Sequence, residues 1–76
     1  MKTIINPVVE VFKTNVQDPS EAKMLVDLFQ KLITNSFVNF DLDDCDKVLR
    51  IEGIDVCTQL VTGILEDHGY ICELLE

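Results

Sequence analysis

The chain is predicted to be α+β, a four-stranded antiparallel sheet with two helices on one face. Three observations predict this. Apolar residues recur at helical spacing in two separate runs, from about Ala22 to Ile33 and from about Val56 to Leu65. Short β-branched or alternating runs precede, separate and follow those helices. The two middle strands are joined by an aspartate-rich turn too short for a crossover, which makes them a hairpin.

Val8-Val9-Glu10-Val11-Phe12-Lys13 is the first strand, and Pro7 stands before it because proline cannot donate to a ladder. Thr14 to Gln17 is a connector. Asp18 caps the first helix, with Pro19 at its first position and Glu21 placed to reach back to the cap's own amide. Ala22, Leu25, Phe29, Leu32 and Ile33 form its buried stripe, widened by Val26 and Leu28. The helix should run to about Ile33 and end near Asn35, which tolerates a left-handed conformation.

Phe37 to Leu42 alternates, with Val38, Phe40 and Leu42 facing in. Asp43 to Asp46 is the turn, and Lys47 to Glu52 returns with Leu49 and Ile51 inward, ending at Gly53. Asp55 is the expected cap of a second helix from Val56 to His68, buried through Val56, Leu60 or Val61, Ile64 and Leu65. Gly69 stops it, and Tyr70 to Leu75 is the last strand. This order is the split βαβ or ferredoxin-like plan, and right-handed crossovers make the first and third strands central. Residues 1–76 form one such domain.

The composition narrows the function. A formal net charge of −8 repels phosphate backbones and anionic lipid, so neither nucleic acid nor a membrane surface is an expected partner. No window approaches the 18 apolar residues of a spanning helix. Met1 to Pro7 is too soon broken to read as a signal peptide, and Cys45, Cys57 and Cys72 are an odd, scattered set. Reduced thiols in the cytoplasm are the expectation.

One sheet face lies away from the helices. The alternation assigns Glu10, Arg50 and Glu73 to it as an acid–base–acid row, flanked by Val8, Phe12, Val48 and Ile71. Phe12, Val48, Arg50 and Ile71 are accordingly the candidate interaction surface, and the partner is a protein or a second copy. Such sheets also carry scattered exposed apolar residues with no role.

The closing run Ile64-Leu65-Glu66-Asp67-His68-Gly69-Tyr70-Ile71-Cys72-Glu73-Leu74-Leu75 resembles that of the heavy-metal-associated domains, the fold of copper chaperones and metal-pump modules. Val9-Glu10-Val11 and the hairpin Val38-Asn39-Phe40-Asp41-Leu42 are similar too, so the likeness spans nearly the whole chain. The family's function rests on a Met-x-Cys-x-x-Cys loop before the first helix, whose paired thiolates bind soft Cu(I). Aligned on the helix, the methionine falls near Val16 and the cysteines near Asp18 and Glu21. No cysteine lies between Met1 and Phe40, so that metal site does not carry over. The resemblance then implies a binding domain of this type without its thiol pair.

Other chemistry has little to build on. Asp41, Asp43 and Glu52 match calcium-loop positions one, three and twelve, but Asp46 stands where that loop needs glycine. Cys57, His68 and Cys72 are the candidate ligands for a metal reading, although their spacing matches no zinc pattern. The start of the second helix would activate Cys57, but no histidine is placed to act as its base. No glycine-rich phosphate loop or Ser-His-Asp set is present, so no catalytic residue and no cofactor are expected. A regulatory domain for a small ligand rests on fold analogy alone.

Overall fold

A computed structural model describes residues 7–75. The residues of the signal-peptide argument, Met1 to Asn6, lie outside them. The elements are β1 (Val8–Thr14), α1 (Pro19–Leu32), β2 (Phe37–Asp41), β3 (Val48–Gly53), α2 (Thr58–Asp67) and β4 (Cys72–Leu75). All strand pairs are antiparallel, in the order β2-β3-β1-β4, so β1 and β3 are the central strands.

Register fixes which residues share a face. Phe12 pairs with Leu49 and Leu74, Glu10 with Ile51, and Val38 with Ile51. These positions join Ala22, Leu25 and Phe29 of α1 and Val61 and Leu65 of α2, which belong with Phe12, Val38, Leu49 and Ile51 to one hydrophobic cluster. The opposite face carries Val11 with its register partners Arg50 and Leu75, Lys13 opposite Glu73, Asn39 opposite Arg50, and Phe37 opposite Glu52.

The face of β1 is therefore the reverse of the sequence expectation. Phe12, assigned to the outer surface, is fully buried in the core. Both faces of Val-Val-Glu-Val-Phe-Lys-Thr carry apolar residues, so alternation alone leaves the choice open. Burying the phenyl ring is worth about 1.5–3 kcal/mol, whereas turning it outward would send Lys13 into the core. Glu10 tolerates the helix side because β4, as described, ends at Leu75 opposite Val11, leaving Glu10 part-exposed near the sheet's end. The expected row of Glu10, Arg50 and Glu73 is consequently not formed, since Arg50 lies between Val11 and Asn39.

The helices differ in their ends. α1 starts at Pro19 as expected, Ile33 closes it, and Asn35 takes the left-handed conformation at φ 57°. Of the stripe the spacing predicts, Ala22, Leu25, Phe29 and Ile33 are buried and Leu32 is exposed. α2 begins at Thr58, and its N-cap is Cys57, which makes no side-chain bond to the helix amides; Asp55 lies too early to cap it. Gly69 at φ 86° ends the helix, and His68 and Tyr70 bond back to Leu65 as the chain turns into β4.

Candidate functional site

Register also sorts the loops by end. β1 finishes where β3 and β4 begin, so the β1–α1 connector, the β2–β3 hairpin and the α2–β4 turn gather at one end of the sheet. Thr14 is buried there, its backbone N–H donating to Asp46 O at 3.0 Å and its hydroxyl to Lys47 O at 2.6 Å. Val16 beyond it is fully buried, and Asn15 Oδ1 accepts from the Ile71 N–H at 2.8 Å. The connector is thus stitched to both neighbouring loops by side chains that offer no soft ligand.

Asp18 accepts at Oδ1 from the Ser20 N–H at 2.9 Å and from the Ser20 hydroxyl at 2.8 Å. The hydroxyl first, then the Ser20 and Glu21 amides, hold its carboxyl below the usual aspartate range. Half of the expected capping box is present. Glu21 does not bond back to the Asp18 amide among the described residues; it lies against the Tyr70 phenol. Partial burial first, then the charges of Glu21 and Asp18, push that phenol above its ordinary value. The sequence places Tyr70 in the last strand, whereas β4 begins at Cys72; its contact with the helix start has no local signal, because it joins segments far apart in the chain.

The three soft-ligand candidates are scattered over different positions. Cys57 is exposed before α2, and His68 sits at the other end of that helix, its Nδ1 donating to the Ile64 carbonyl at 2.8 Å. A carbonyl only accepts, so that nitrogen carries the proton. Cys72 lies on the helix-facing side of β4, where burial, with some help from Glu66, pushes its thiol up to about 11. Metal coordination requires the thiolate, so this environment disfavours it. Among the described residues the potential ligand atoms that cluster are those of Asp44, Cys45 and Asp46, within 4.8 Å of one another. Asp44 Oδ1 already accepts the Asp46 N–H at 2.9 Å, and Asp46 pairs with Lys13 at 3.8 Å. That is the turn chemistry expected of the sequence.

The outer sheet face is the other candidate. Arg50 is exposed at its centre and Ile71, 64 % exposed, precedes β4 at its rim. Val48 is on this face as expected but only 8 % exposed, between Asp41 and the position of Lys13. It can offer little contact area, so of the four surface candidates Arg50 and Ile71 stand on open surface and Phe12 and Val48 do not. Val9, Val11 and Leu75 supply the apolar part instead.

The residue that sequence reasoning passed over is Phe37. It begins the edge strand β2 and is 79 % exposed, the most open of the large apolar side chains among the described residues. A shallow recess of about 360 Å³ adjoins it, lined by Phe37, Val38, Asn39, Arg50 and Glu52. Its odd position in an alternating run already placed it opposite to Val38 and Phe40, which was the available signal. No family model, curated protein or solved structure matches the chain.

Proposed function

We propose that this chain is a small non-enzymatic binding domain of ferredoxin-like, heavy-metal-associated type that has no Cu(I) thiol pair, working in the cytoplasm. It docks a protein partner or a second copy through the outer side of its sheet. The strand–helix–strand–strand–helix–strand order, the central β1 and β3, and the core shared by both helices support the fold. One observation carries the function: an uncovered sheet face bordered by exposed Val9, Ile71, Leu75 and Phe37. Three free thiols accord with a reducing compartment.

Affinity capture from the source cell tests this reading. A protein retained by the native chain and by Met24→Lys, on α1, but lost with Val9→Lys or Ile71→Lys supports it. Retention by all variants, or by none, overturns docking through this face.

A second reading is metal binding by non-standard ligands, favoured by the convergence of Asp44, Cys45 and Asp46. Native mass spectrometry with Cu(I), Zn(II) and Ca(II) decides it, and a chain that stays ion-free under stoichiometric excess removes it.

A further inference from the structure

We draw no further inference here: the strongest candidate, the exposed apolar corner where Phe37 opens the edge strand β2 beside a shallow recess, is an unpartnered face, and nothing in the structure shows what covers it.

Discussion

Asp18 shows how one carboxylate organises the start of a helix. Its ionised form accepts the Ser20 hydroxyl and two helix amides, so its folded pKa lies below the ordinary 3.8. A depressed carboxyl stabilises the fold above its unfolded pKa and loses that contribution as pH falls through the folded value. Asp18→Ala should therefore lower Tm by about 4–8 °C at neutral pH. In thermal melts followed across pH, the gap to the native protein should close once the medium drops well below 3.8. Tyr70 offers the opposite sign. Its phenol is raised above 10.0, so the stability linked to its neutral form is present below 10.0 and disappears as pH rises through the folded value. The chain has one tyrosine and no tryptophan, so absorbance of the phenolate follows this group alone. Its midpoint should lie above 10.0 and move down in Glu21→Gln, which removes the nearest charge opposing ionisation.

Single elements test the orientation of β1. Phe12 is fully buried and Phe37 is not, so Phe12→Ala should cost about 3–5 kcal/mol and Phe37→Ala no more than about 0.5 kcal/mol in urea unfolding of the monomer. Equal effects would mean that β1 presents its other face. The six elements themselves were legible, because periods of 3.6 and 2 survive in their apolar residues. The facing of β1 was not, because Val8, Val9, Val11 and Phe12 satisfy either side, and the helices decide it from a distance. The candidate surface fails at Phe12 for that reason, and Val48, although on the expected face, is only 8 % exposed there. The start of α2 was misread because a capping aspartate was available at Asp55, yet the helix begins behind Cys57 without one. That helix carries a further weakness in Gly63, where an added methyl would meet nothing within 4 Å. Gly63→Ala should stabilise the domain by about 1 kcal/mol, measured as a higher urea midpoint at unchanged slope.

At the scale of the molecule, charge is arranged along the strands. One end of the sheet holds Asp18, Asp43, Asp44 and Asp46 in its loops and Asp41 at the end of β2, five of the eight aspartates, while Phe37, Ile54 and Gly53 mark the other end. Like charges so close together repel within one copy, and the exposed Lys13–Asp46 pair at 3.8 Å offsets little of it. Added sodium chloride should consequently raise the melting temperature of the monomer, most steeply below about 0.15 M, where the screening length is longest. A melting point that falls with salt would mean that attractive pairs dominate.

The carboxylate that opens α1 also sets the terms on which this scaffold could be given an ion. Cysteines at positions 18 and 21 would supply a pair of sulfurs but strip the helix of its start signal and Tyr70 of its neighbour. Such a variant would be loosened when empty and consolidated on capture, a sensor whose order reports the metal's arrival.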